Sequence, residues 1–300
     1  MEGHMQTVAP YIDEEEFGRA ILRYKSQQAF KPLIQYLILA ISSGCMPPDV
    51  QARAYNELGL AHLQSENAVE AEKAFLSAID RSPKKVNPRF NLANLMLYAQ
   101  RYEEGFKRFE QVLKLDADHA GALHHSGLCC AMQKQYAKAL VFFEKSFKIT
   151  GDTMGPAFWS GECLLQMGAF DRALPYFKRA LIIMPEHEES LRGLAICLYE
   201  EKEFTESLQI CDSLIANGGG AEYLALRIKG DALLALGKGE AAAYCHLELA
   251  QMDFDAREYL KIRSEALNRQ GSDQAAVYTG IISEKLKQID ADFLGLSQAI

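Results

Sequence analysis

The sequence has one tryptophan and nine prolines among 300 residues, and it lacks any long apolar run. Its most apolar stretch, PLIQYLILAI at 32–41, is about half the ~20 residues a membrane-spanning helix needs. It reads as a buried helix, and no membrane insertion is expected. Seven cysteines, an odd number with no Cys-x-x-Cys pair, speak against a disulfide framework and for a reducing compartment. Basic excess is missing too: 32 Lys and Arg against 40 Asp and Glu give a net charge of −8. Nothing electrostatic therefore draws the chain to a phosphate backbone, and no nucleic-acid partner is expected. The first residues show no basic stretch leading into an apolar one, so no secretory signal is read and the expected location is cytoplasmic. Residues 1–12, with Gly3-His4-Met5 open to reading as a tag remnant, are set aside as a tail.

Catalytic motifs are equally scarce. There is no Gly-x-Ser-x-Gly, no Gly-x-x-x-x-Gly-Lys-Ser/Thr and no Gly-x-Gly-x-x-Gly after a strand, so no enzyme is expected. His119, His124 and His125 cluster in DADHAGALHHSG, but without the spacing of helical metal ligands. No metal and no cofactor are expected. Cys129, Cys163 and Cys197 stand 34 apart, equivalent places on helices about 8–10 Å apart, beyond disulfide reach; they read as small core residues.

What the sequence does have is a beat of 34 residues. Units set at Ala52, Val86, Ala120, Met154, Glu188, Tyr223 and Arg257 keep that spacing apart from one extra residue within Asn217–Ala221. The eighth place reads Gly59, Ala93, Gly127, Gly161, Ala195, Gly230 and Ser264; the twentieth reads Ala71, Gly105, Ala139, Ala173, Ser207, Ala242 and Ala276. All are small, as two helices of a hairpin in close approach require. The twenty-fourth place carries Phe75, Phe109, Phe143 and Phe177, then Cys211, His246 and Gly280. In the fourth unit Gly168 and Phe170 mark the turn, Phe177 and Ala180 the core, and Pro185 the end of the hairpin.

This pattern resembles the tetratricopeptide repeat family over residues 52 to about 285. The resemblance implies an all-α fold: a right-handed superhelical solenoid of antiparallel helix hairpins. The expected organisation is the tail 1–12, an atypical N-terminal hairpin at 13–48, a repeat array at 49–288 and a capping extension at 289–300. In the N-terminal hairpin Asp13 and Glu16 offer a capping box, Lys31-Pro32 a break, and Lys25 falls where the small residue belongs. At the other end Ile282, Leu286, Ile289, Phe293 and Leu296 form one apolar stripe, a cap or a seam between copies. NGGGAE at 217–222 reads as a slack joint or a longer turn.

The resemblance also says where to look for function. In such arrays the fifth, ninth and twelfth places of each unit line a concave groove that binds a peptide or a partner protein. The fifth place reads Asn56, Phe90, His124, Phe158, Arg192, Arg227 and Lys261; Asn94 and Glu162 stand in the ninth and Tyr199 in the twelfth. The row passes from polar through aromatic to basic, suited to a segment with an apolar side chain before an acidic one. Arg227 with Asp231, and Lys261 with Glu265, are alternatively four-apart pairs along their own helices. A carboxylate-clamp reading finds only Asn91 in its place, with Asn56, Leu60, Gly121 and His125 elsewhere, and is not expected. The sequence thus reads as a non-enzymatic interaction scaffold, the alternative being a structural protein that forms homo-oligomers through its terminal helix.

Overall fold

The computed structural model describes residues 13–151, 153–252, 254–269 and 271–297, with side chains at 251–252, 254–256 and 289–297 left out of the description. Among them are sixteen helices and no strand. They fall into two compact units that divide between Thr150 and Gly151.

The first unit holds α1 (Glu14–Ser26), α2 (Phe30–Ser42), α3 (Pro48–Gln64), α4 (Ala68–Arg81), α5 (Val86–Tyr98), α6 (Tyr102–Leu115), α7 (Ala120–Met132) and α8 (Tyr136–Thr150). Asp13 caps α1, its Oδ1 accepting from Glu15 N–H at 3.0 Å. The expected break at Lys31-Pro32 lies instead at 27–29: Pro32 sits in the first turn of α2, where its missing N–H is an orphan donor anyway. Phe17, Ile21, Leu33 and Leu37 bury this hairpin against Val50 and Leu58 of α3. Lys25 is tolerated beside the core because its ammonium pairs with Glu57.

The second unit holds α9 (Met154–Gln166), α10 (Phe170–Ile183), α11 (Glu188–Glu200), α12 (Phe204–Asn217), α13 (Glu222–Ala235), α14 (Gly239–Met252), α15 (Phe254–Asn268) and α16 (Asp273–Ser297). The 218–221 segment is a held turn rather than a slack joint: Gly218 and Gly219 take left-handed backbone, and Ala221 N–H donates to Glu188 Oε1 at 2.6 Å.

Within each unit the 34-residue beat becomes a repeated contact. The ring at the twenty-fourth place lies over the small residue at the eighth. A Cβ added to Gly59 would stand 2.5 Å from the Phe75 ring, one on Gly127 2.6 Å from Phe143, and one on Gly161 3.0 Å from Phe177. His246 takes the same place over Gly230. The twentieth place meets the partner helix's backbone: Ser207 Oγ donates to the Ala195 carbonyl at 3.0 Å, and a Cβ on Gly105 would come 3.5 Å from the Ala93 carbonyl oxygen. Cys129, Cys163 and Cys197 are buried beside these contacts, and burial pushes the Cys129 and Cys197 thiols up to about 12.

Five first helices, α3, α5, α7, α9 and α11, stop the same way. Asn67 N–H donates to the His62 carbonyl, Arg101 to Met96, Gln135 to Cys130, Ala169 to Leu164 and Glu203 to Leu198, at 2.8–2.9 Å. This closure needs a left-handed residue just before the donor. Gly168 supplies it in one turn, but Glu66, Gln100, Lys134 and Lys202 supply it in the others, with φ of 59–66°.

The last hairpin departs from the expected register. Its connection, 269–272, is one residue longer than 65–67 or 99–101, and α16 turns a different face inward. Ala276 is exposed while Ala275, Tyr278, Ile282 and Leu286 are buried, and a Cβ on Gly280 would meet nothing within 4 Å. Ile289, Phe293 and Leu296, the remainder of the apolar stripe, have side chains outside the described residues.

Candidate functional site

In the first unit the fifth- and ninth-place side chains of one first helix are held by sixth-place side chains of the next, Asn91 and His125. Asn56 is 9 % exposed and its Oδ1 accepts from Asn91 Nδ2 at 2.8 Å. Asn94 Oδ1 lies 2.6 Å from His125 Nδ1. Phe90, half-buried, stacks on His125 with centroids 5.5 Å apart and planes at 9°, and touches Phe109 and His119 at 5.9 and 4.7 Å. His119 is held by its own role as cap of α7, Nδ1 accepting from Ala122 N–H at 3.1 Å. His124 packs on Phe143 at 5.4 Å. Its Nδ1 is buried without a hydrogen-bond partner, and burial, assisted by His125, pushes its pKa down to about 4.

In the second unit Phe158 is half-buried between Trp159, His187 and Phe177, at 5.3, 5.1 and 6.3 Å. Arg192 reaches across from α11 to Glu162 of α9: its guanidinium lies 3.3 Å from Glu162 Oε2, while Gln166 Nε2 donates to Oε1 at 2.9 Å. Tyr199 packs on Phe204 at 5.7 Å, and burial, then the nearby Asp231 carboxylate, raises its phenol pKa.

The four-apart pairing of Arg227 with Asp231 is not what forms. Asp231 pairs with Arg263 of the following hairpin and lies 3.4 Å from His246 Nε2. A carboxylate 14 % exposed is better compensated by a guanidinium held against Tyr259 than by one on an exposed stretch of its own helix. His246 completes this cluster, with Nδ1 2.8 Å from the Tyr278 hydroxyl and Nε2 3.3 Å from the Arg227 carbonyl oxygen. The sequence signal for it was a histidine at a place held elsewhere by phenylalanine. Arg227 and Lys261 are exposed.

Among the described residues no group of three His, Cys, Asp or Glu side chains is placed to hold a metal ion, and no helix is long and apolar enough to cross a membrane.

Tetratricopeptide repeat models match residues 40–85, 90–146 and 164–229, together more than half of the chain. The chain belongs to the tetratricopeptide repeat family. Solved structures of other tetratricopeptide repeat proteins share its fold. The YrrB protein, described as having an unusual peptide-binding site, is 22 % identical with a TM-score of 0.58, over 61 % of this chain and 94 % of its own. PilF of Pseudomonas aeruginosa is 23 % identical with a TM-score of 0.59, over 73 % and 100 %. A tetratricopeptide repeat protein of Parabacteroides merdae is 17 % identical with a TM-score of 0.58, over 83 % and 97 %. At these identities the likeness is one of fold alone. No curated protein sequence matches the chain. Tetratricopeptide repeats are in general non-enzymatic modules of protein–protein interaction, and the repeat fold of this chain supports a scaffold of that kind.

Proposed function

We propose that this tetratricopeptide repeat protein is a non-enzymatic adaptor that binds an extended or helical segment of a partner along the fifth- and ninth-place side chains of its first helices. The observation that carries the reading is the Arg192–Glu162 pair beside Phe158: one charged bridge between two successive first helices, its arginine side chain 33 % exposed and its glutamate 16 %. A pair so placed keeps a guanidinium aimed and half-desolvated. A carboxylate on a ligand can then take N–H donors of the guanidinium that Glu162 does not use, while an apolar ligand side chain lies on the exposed part of Phe158.

The test uses a partner captured by crosslinking from the native host. Arg192→Glu should slow association, with the difference shrinking as salt rises, because it reverses a partly exposed charge. Phe158→Ala should weaken binding by more than the ~1 kcal/mol of rim contacts. Since Phe158 also leans on Phe177, this variant is compared at a temperature where circular dichroism shows it folded. Unchanged association by Arg192→Glu at low salt, together with unchanged affinity of Phe158→Ala, would remove this wall from the binding surface.

A further inference from the structure

The α5–α6 hairpin carries arginine at two places where the other hairpins that keep the register carry no charge. The fourth place, Arg89 here, is elsewhere Tyr55, Leu123, Ala157, Leu191 and Leu226; the twenty-third, Arg108 here, is Ala74, Phe142, Tyr176, Ile210 and Cys245. The two arginines stand at one level of the hairpin, since the residues that follow them, Phe90 and Phe109, are in ring contact at 5.9 Å. Both are half-buried, and burial, then the charge of Arg108, lowers the pKa of Arg89. Packing alone would be better served by the uncharged pairs of the other hairpins, because two like charges set together and partly out of water repel each other and lose hydration.

No carboxylate offsets that cost. Among the described residues neither arginine has an ion-pair partner. Arg89 Nη1 donates to the Lys85 carbonyl oxygen at 3.3 Å, which leaves the other donors of its fork unused. Glu104, one turn before Arg108, already takes two hydrogen bonds from Arg101, at 3.1 and 2.6 Å, and Asp49 is paired with Lys85 at 3.5 Å. No guanidinium nitrogen of Arg89 or Arg108 is both buried and unpartnered, so the unused donors reach solvent.

We propose that Arg89 and Arg108 together form a binding site for a phosphate monoester. With a second pKa of about 6 such a group is a dianion at neutral pH, and it matches two guanidinium charges with three acceptor oxygens. Each planar fork can meet it through paired hydrogen bonds. A carboxylate brings one charge and would leave one arginine uncompensated. The site uses neither the fifth nor the ninth place and does not rest on the groove reading.

Calorimetric titration of the full-length protein at low, fixed ionic strength compares inorganic phosphate, acetyl-Ala-phosphoserine-Ala-amide and acetyl-Ala-Glu-Ala-amide. Saturable binding of the phosphopeptide is expected, with the glutamate peptide weaker by about tenfold or more. Phosphopeptide binding tighter than that of inorganic phosphate assigns the site to a phosphorylated polypeptide, and equal binding assigns it to small phosphates; either result keeps the chemistry. Arg89→Leu and Arg108→Ile install residues that other hairpins carry. Each should weaken the phosphopeptide by about tenfold or more and leave the unliganded melting temperature unchanged or higher. Arg89→Lys, which keeps the charge and loses the fork, should fall between. Arg192→Glu should bind the phosphopeptide as the wild type does. The site is overturned by no saturable binding of either phosphate probe, by equal binding of the glutamate peptide, or by full binding in both apolar variants. A lower melting temperature in both apolar variants, or loss of binding in Arg192→Glu, would also overturn it, the first by giving the arginines to packing and the second by moving the phosphate elsewhere.

Discussion

Phe177→Ala should lower the unfolding free energy by about 3–5 kcal/mol, the range for a large buried aromatic deleted from a core. The ring is fully buried, and it is gripped from two hairpins at once. Gly161 of its own hairpin and Gly193 of the next one both leave it room: a Cβ would come within 3.0 Å of the ring at the first and 2.4 Å at the second. A cavity here therefore loosens the joint between α9–α10 and α11 as well as the hairpin itself. Urea unfolding followed by circular dichroism measures the loss, and a loss below about 1 kcal/mol would mean that the ring is not the wedge described. Gly193→Ala supplies an independent arm. It should cost roughly 1–3 kcal/mol beside the native ring and distinctly less in a Phe177→Leu background, because the clash is with the ring edge. Additive costs would show that the two positions do not share a contact.

Acid should weaken the first unit through His124. Its folded pKa of about 4 lies below the unfolded value near 6.5, so the unfolded chain takes up the proton first. The stabilisation from keeping this imidazole neutral is complete above about pH 6.5 and declines as pH falls toward 4, by up to roughly 3 kcal/mol. His125, whose pKa is lowered by burial and then by His119, acts in the same direction. Asp49, Glu70, Glu103 and Glu104, all held below the usual carboxylate range by hydrogen bonds from Ser82, Lys73, Lys107 and Arg101, lose their contribution only at lower pH. His124→Phe isolates the effect. Phe90 and Phe158 already hold this place in neighbouring repeats, each against the ring at the twenty-fourth place, so the substitution keeps the packing and removes both the titration and an unpartnered Nδ1. Stability measured at pH 7 and pH 5 should fall much less in the variant than in the wild type. An equal fall in both would place the acid sensitivity elsewhere.

The hairpin order was legible in the sequence because a repeated contact demands a repeated residue. Two helices that touch at one point need a small side chain there each time, which is why Ala71, Ala139, Ala173 and Ala242 recur on schedule and are all fully buried. The rule fails at Ala276, which is exposed while Ala275 beside it is buried, a change of about 100° in the face that α16 turns inward. The polar rows were far less legible. Residue types at the fifth and ninth places could be read off, but which partner each one holds could not. Asn56 finds Asn91 and Asn94 finds His125 across neighbouring repeats, and Asp231 prefers Arg263 of the next hairpin to Arg227 of its own helix. Such choices depend on distances between helices that no spacing along one helix contains.

The left-handed turn residues bear on how this chain would respond to engineering. Glu66, Gln100, Lys134 and Lys202 occupy a backbone region that costs an ordinary residue about 1–2 kcal/mol and glycine almost nothing, and Gly168 shows that the same turn accepts glycine. Part of that gain is returned as the greater freedom of glycine in the unfolded chain, leaving about 0.5–1 kcal/mol per site. The four turns share no contact, so the increments should accumulate nearly independently. A thermostable version of this chain is thus accessible from its loops alone, with the interhelical joints and the fifth- and ninth-place rows untouched.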